Sequence, residues 1–257
     1  MICCVCFEKI IFCTFYNFVV SIYITAMKIH RFFIKQKIGD KKEIVISDSS
    51  LLNQWRNVFR FHSGDVVIFL DNSGFEYVSE MILLSKKESI LKIIKKNKND
   101  NIPKKDVTLF ISLIKKDNVE WVLQKGTEIG VSCFVPIVSE RSEKKNLNIE
   151  RSEKIIIEAA EQSGRGELPR LYETLNFQDA LEKFDMPMIA FDPKEKDFDK
   201  GYLDRLDKVG VLIGPEGGWT DRELELFEQK NIVVYSLGPQ ILRAETASIA
   251  IASLLLL

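Results

Sequence analysis

"VGVLIGPEGGWTDRELELF", residues 209–227, is an apolar run that breaks into a glycine-rich loop and restarts as an amphipathic segment. Val209, Val211, Leu212 and Ile213 make a short β-branched and aliphatic run of the kind that forms a buried parallel strand. Thr220 followed three residues later by Glu223 fits a capping box, and Leu224 and Phe227 then share one helical face. The Gly-Pro-Glu-Gly-Gly loop, 214–218, therefore joins a strand's carboxyl end to a helix start, where open α/β sheets bind ligands. Phosphate is the usual guest there. Here Pro215 has no N–H, Glu216 repels anions, and neither phosphate-loop glycine spacing is present. The loop favours a neutral or cationic guest, and taken alone it is equally well explained as a tight turn.

Working outward, "VVYSLGPQILRAETASIAIASLLLL", 233–257, repeats the arrangement. An apolar strand over Ile232 to Leu237 ends in Gly-Pro, and a helix begins near Ala244, so two such loops belong to one sheet edge. Ala244, Ala247, Ser248 and Ala252 form a small-residue stripe, which implies tight packing within the chain or across a dimer. Arg243 just before the helix opposes its dipole by about 0.3–1 kcal/mol, which suggests a ligand role; a solvated arginine is the plain alternative.

With "IGPEGG" at 213–218, "LGPQILRAETA" at 237–247 and "EQSGR" at 161–165, the chain resembles the bacterial small-subunit (16S) ribosomal RNA uridine-N3 methyltransferases of the SPOUT superfamily. "HRFF" (30–33), "VFRFHSGD" (58–65) and "WVLQKGTEIGV" (121–131) are similar to other stretches of that family, so the likeness runs from Met27 onward. It implies an α/β fold: a C-terminal SPOUT domain, a parallel sheet with a deep trefoil knot, preceded by a small PUA-like β-barrel that binds RNA. It implies S-adenosylmethionine as cofactor, whose sulfonium cation and lack of phosphate agree with the loop. It places the cofactor against Ile213, Gly214, Glu216, Gly217, Leu237, Gly238, Leu242, Arg243, Glu245 and Thr246. It also implies a homodimer with each site at the subunit interface, and 16S ribosomal RNA in the small subunit as substrate.

The domain division is visible in composition. Residues 28–94 read as short strands with turn signals, including a hairpin around Asp71–Gly74, and 107–257 alternate strand and helix. The polar stretch 95–105, closed by Pro103, reads as the linker, which gives a β domain over 27–98 and a methyltransferase domain over 99–257. The net charge of −1 is low for a nucleic-acid binder, but eight lysines face only Glu88 and Asp100 between Lys86 and Lys105. That run suits a solvated linker or an RNA contact, and the likeness favours RNA. Arg31, Arg60, Arg141 and Arg165 are candidate RNA contacts, each also compatible with ordinary surface pairing.

Residues 1–26 match no part of the family. The apolar stretch 10–26 is at the lower limit for a membrane span and lacks a signal peptide's basic start and cleavage site. It is expected to be a non-native upstream extension, with Met27 the initiator. Four of the five cysteines lie in it, leaving Cys133, which suits a reducing cytoplasm and no disulfides; no membrane partner is expected. No His, Cys and carboxylate cluster suggests a metal.

The implied chemistry requires loss of the uridine N3 proton and stabilisation of charge on the uracil oxygens. Arg165, between Gly164 and Gly166 after a helix over 150–163, is the candidate catalytic cation on a mobile loop; capping the helix terminus is the structural alternative. Glu216 or Glu161 is the candidate proton acceptor. Two positions depart from the family pattern: Gln54 replaces an expected histidine, and Phe59-Arg60 an expected Leu-Arg, which weakens the RNA contacts more than the cofactor site. A non-catalytic RNA-binding protein on the same fold is the competing reading. A nicotinamide oxidoreductase is disfavoured by the missing dinucleotide fingerprint.

Overall fold

β-branched and aromatic runs separated by turn residues recur between Arg31 and Lys98, and they pair as strands. The structure, a computed structural model, describes residues 29–196, 198, 201 and 206–257; the expected upstream extension and the Met27 start lie outside these. β1 (Arg31–Phe33), β2 (Glu43–Ile46), β3 (Val66–Leu70), β4 (Phe75–Leu84) and β5 (Ser89–Lys98) form one sheet in the order β1-β3-β4-β5-β2. Helix α1 (Ser49–Gln54), capped by the Asp48 carboxylate, runs into a π turn over Trp55–Phe59. Trp55 is buried, its ring 5.4 Å from Phe32 and 5.8 Å from Phe69. The expected hairpin turns at Asp71–Gly74, where Asn72 and Gly74 take positive φ. β5 runs on to Lys98, so the first residues of the stretch expected as a linker are strand. Backbone pairing continues past the apolar run because a ladder does not depend on which side chains face solvent.

The chain divides into two compact units, one of the residues up to Leu70 with Glu76–Asn97, the other of Asp71–Phe75 with Lys98–Leu257. The second contains β6 (Asp106–Ser112), α2 (Lys116–Ile129), β7 (Cys133–Val138), α3 (Ile149–Ser163), β8 (Arg170–Leu171), β9 (Leu175–Asn176), α4 (Phe177–Lys183), β10 (Met188–Phe191), β11 (Lys208–Ile213), α5 (Asp221–Gln229), β12 (Val233–Tyr235) and α6 (Ala244–Leu256). The strands order as β12-β10-β11-β6-β7-β8, with β9 also on β7, and these neighbours pair in parallel. This is the α/β architecture expected from the sequence. Strand alternation sorts the core into two faces. Leu109, Ile111, Val209 and Val211 meet α2, α3 and α6 on one, and Phe110, Leu212 and Val135 meet α4 and α5 on the other.

Two local exceptions have local causes. Pro136 lies inside β7 at the gap between its pairings with β8, at Cys133 and Phe134, and β9, at Ile137 and Val138. A residue without an N–H fits where the neighbouring strand is interrupted. Gly210 lies inside β11 because a Cβ there would come within 2.9 Å of the Phe110 ring.

Candidate cofactor site

β11 ends at Ile213 and β12 at Tyr235, and both run parallel to β10, which lies between them. The two glycine loops therefore leave the same edge of the sheet on either side of β10. The second strand is shorter than the expected Ile232–Leu237, because Ser236 and Leu237 already belong to the turn. Ser236 Oγ donates to the Gly238 carbonyl at 3.0 Å and accepts from its N–H at 3.2 Å, and Gly238 has φ 117°.

The first loop is fixed by its own residues. Gly218 N–H donates to the Pro215 carbonyl at 2.9 Å, with Gly218 at φ 69°. Trp219 is buried, packs its ring over Gly214 where a Cβ would meet it at 3.0 Å, and donates Nε1–H to the Phe191 carbonyl at 2.9 Å. The expected capping box is present at Thr220 and Glu223. Glu223, 1% exposed, also accepts from Glu140 N–H at 2.9 Å, joining the loop after β7 to the start of α5.

Arg141 belongs to this assembly. Its Nη1 donates to the Gly217 carbonyl at 2.7 Å and the Trp219 carbonyl at 3.2 Å, and its stem occupies the space a Cβ on Gly217 would need. The sequence placed Arg141 among RNA contacts; the structure places its guanidinium on the glycine loop. The glycines at 214 and 217 thus make room for this chain's own Trp219 and Arg141.

Three carboxylates lie at this edge, those of Glu216, Glu245 and Asp192. Glu216 is exposed. Glu245, in the first turn of α6, has a buried Oε2 without a hydrogen-bond partner. Asp192, next after β10 between the loops, is 8% exposed, and its Oδ2 stands 3.8 Å from where a Cβ on Gly218 would lie. Sequence reading passed over Asp192 and Trp219: the only available signals were a carboxylate at a strand's carboxyl end and an aromatic after two glycines. Arg243 is the N-cap of α6, exposed and without a side-chain capping bond; Thr246 is exposed, and Leu237 and Leu242 are half-buried.

Arg165 is placed elsewhere. α3 ends at Gly164 as expected, but the arginine is not free on a mobile loop. It is 6% exposed, donating from Nη1 to the carbonyls of Thr127 (3.0 Å) and Val131 (2.8 Å) and from Nε to that of Glu167 (3.2 Å). Burial lowers its guanidinium to about 10, opposed by the nearby Glu167 carboxylate. These carbonyls lie at the amino edge of the sheet, between the end of α2 and the starts of β7 and β8. Glu161, two residues before the end of α3, is near the same edge. The structure therefore separates Arg165 and Glu161 from Glu216. The remaining candidates, Arg31 in β1 and Arg60 in left-handed conformation after the π turn, belong to the first unit. Arg31 Nε is buried without a partner and Arg60 is exposed.

The small-residue stripe of α6 is used within the chain: Ala244, Ser248 and Ala252 are buried, and Ala244 and Ala252 belong to the core shared with α2. Among the described residues no helix is long and apolar enough to cross a membrane, and no three His, Cys or carboxylate groups are placed to hold a metal.

Comparison with known proteins adds three findings. Residues 100–256 match the family model described as RNA methyltransferase domain. Ribosomal RNA small subunit methyltransferase E from Bacillus subtilis is 35% identical over 237 residues, covering 84% of this chain and 92% of that protein; its counterpart from Rickettsia conorii is 29% identical over 238 residues, covering 90% and 97%. In fold, the chain matches ribosomal RNA small subunit methyltransferase E from Neisseria gonorrhoeae bound to S-adenosyl methionine, with TM-score 0.79, 24% identity and coverage of 88% of this chain and 95% of that one.

Proposed function

The chain belongs to the ribosomal RNA small subunit methyltransferase E family, and we propose that it transfers the methyl group of S-adenosylmethionine to N3 of one uridine in 16S ribosomal RNA. The observation that carries this reading is the pair of glycine loops flanking β10, with the carboxylates of Glu216, Asp192 and Glu245 beside them. S-adenosylmethionine fits such a site: its ammonium, ribose hydroxyls and adenine amine are donors, and its sulfonium is a cation. The orphaned Oε2 of Glu245 and the buried carboxylate of Asp192 are the acceptors available to them, beside Ile213, Gly214, Gly217, Leu237, Gly238, Leu242, Arg243 and Thr246. A phosphate-bearing dinucleotide would meet Glu216 and a proline without an N–H.

When bound, the cofactor supplies an electrophilic methyl on the sulfonium. The chain's own part is to hold the loops rigid and to take one proton. Rigidity comes from Trp219, Arg141 and Glu223, and orientation of this kind is worth about 7–11 kcal/mol when it brings two reactants into attack geometry. Glu216, exposed on the loop, accepts the N3 proton as nitrogen attacks; Glu161 is too near the other edge to do so within the same chain. Arg165 likewise reaches a methyl acceptor only at the loops of a second copy.

A homodimer belongs to the same reading. Ile241, 84% exposed in the second loop, is an apolar side chain at the site's rim that a second copy would cover. The surroundings are the cytoplasm and the small ribosomal subunit. Calorimetry with S-adenosylmethionine and with NAD tests the cofactor. Binding of the first alone is expected, and binding of NAD would overturn the assignment. Cofactor binding without methyl transfer to ribosomal RNA would leave a non-catalytic RNA-binding protein.

A further inference from the structure

A cavity of about 490 Å³ opens at the amino edge of the large sheet, lined by the first residues of β6, β7, β8 and β11. Its size falls within the roughly 300–1,000 Å³ of small-ligand sites. Arg165 lines it with a guanidinium already held in place. Nε and Nη1 are taken by three carbonyls, and among the described residues Nη2 has no hydrogen-bond partner. A guanidinium fixed in this way presents its remaining N–H groups in one orientation, which suits a phosphate oxygen.

Around it, Lys104, Arg170 and Lys208 are exposed lining residues, and Lys105 joins them, while Asp106, Asp207 and Glu167 are the opposing carboxylates. Cations are in excess. Another part of the lining is apolar: Tyr172, Met186 and Phe184, whose ring stands edge-on to Tyr172 at 5.0 Å. An anionic end and a flat apolar body are together the chemistry of a nucleotide. S-adenosylmethionine, a sulfonium cation, is disfavoured here.

We propose that this cavity is a second nucleic-acid site, holding a nucleotide other than the one methylated at the same chain's glycine loops, with its phosphate on Arg165, Lys104 and Arg170. The inference rests on the RNA-substrate reading above. β11 runs six residues from this edge to the glycine loop, about 20 Å at some 3.3 Å per residue. A nucleotide held here is therefore not the one methylated at the same chain's loop. The phosphate can belong to an RNA strand or to a free nucleotide, and the structure favours the strand because Lys104, Arg170 and Lys208 are exposed.

The test uses the full chain carrying Lys104→Glu with Arg170→Glu, and Lys230→Glu, at the exposed C-cap of α5, as a charge-reversal control away from the cavity. Fluorescence anisotropy with a short uridine-rich single-stranded RNA is measured across a salt series, and calorimetry is run with uridine monophosphate. The paired variant is expected to bind RNA at least about tenfold more weakly, with the slope of log K against log salt reduced by about 0.7, the value for one single-strand phosphate contact. The control is expected to match the unaltered protein. Loss confined to RNA identifies the strand as the source; loss of uridine monophosphate binding as well identifies a pocket for the nucleotide itself. Equal RNA affinity, salt slope and nucleotide binding in paired variant and control overturns the proposal. If the paired variant fails to fold, Lys104→Ala with Arg170→Ala is read in the same way. Methyl transfer by the unaltered protein is measured separately, so failure of the enzymatic reading is distinguished from failure of the cavity.

Discussion

Arg165 and Glu216 stand at opposite edges of one parallel sheet. Arg165 donates to the carbonyls of Thr127 and Val131, where α2 ends and β7 is about to begin, and Glu216 follows the far end of β11. Both were candidates for a single step of chemistry, and a strand's length lies between them. Within one chain the proton-accepting carboxylate and the buried cation serve different places, which divides the predictions for each.

For Arg165 the expected outcome is loss of stability. Arg165→Ala leaves the Thr127 and Val131 carbonyls without their donor, and losing charge-assisted bonds to buried groups costs about 3 kcal/mol or more. Urea unfolding measures it. Unchanged stability with turnover down by about 10² to 10³ would instead make Arg165 a charge-stabilising donor at a partner's site.

Glu216→Lys is expected to abolish binding of S-adenosylmethionine while leaving the melting temperature near that of the unaltered protein, because Glu216 is exposed and the loop is held by Trp219 and Arg141. Calorimetry checks it. Unchanged affinity would reduce the loop to a tight turn.

Arg141→Ala removes the donor to the Gly217 and Trp219 carbonyls. At about 1.5–3 kcal/mol for a bond to a charged group, the KM for S-adenosylmethionine is expected to rise about 10- to 100-fold, with RNA affinity unchanged. A fall in RNA affinity at constant KM would return Arg141 to the phosphate contacts.

What was legible in the sequence was local. The strand, loop and helix over 208–229 follow from an aliphatic run, a glycine pair and a capping box within about twenty residues of one another, and the structure has all three. What was not legible depends on distant residues. Arg141 and Gly217 are 76 positions apart, and nothing at either position announces the other. Arg165 looked mobile because glycines flank it, yet carbonyls more than thirty residues upstream hold it. The stripe on α6 was readable as tight packing, but only the fold shows that α2 and the sheet take it up.

Cys133 carries a pH dependence. Burial raises its thiol from 9.0 to about 11, partly offset by a hydrogen bond with Thr108. The folded chain keeps this proton to higher pH than the unfolded chain does. The contribution is therefore fully present below 9.0 and is lost as pH rises through about 11. The loss amounts to about 3 kcal/mol at most. The stability difference between the unaltered protein and Cys133→Ala is expected to shift against the unaltered protein across that window. A difference constant with pH would contradict the assignment.

Methyl transfer itself is the decisive measurement. The protein is incubated with isotopically labelled S-adenosylmethionine and with 16S ribosomal RNA, free and in small subunits, from cells lacking this activity. The modified nucleoside is then located by mass spectrometry. The account predicts label at N3 of a single uridine, abolished by Glu216→Lys. Label on a ribose oxygen or another base, or no transfer to either form of the RNA by protein that binds the cofactor, would contradict it.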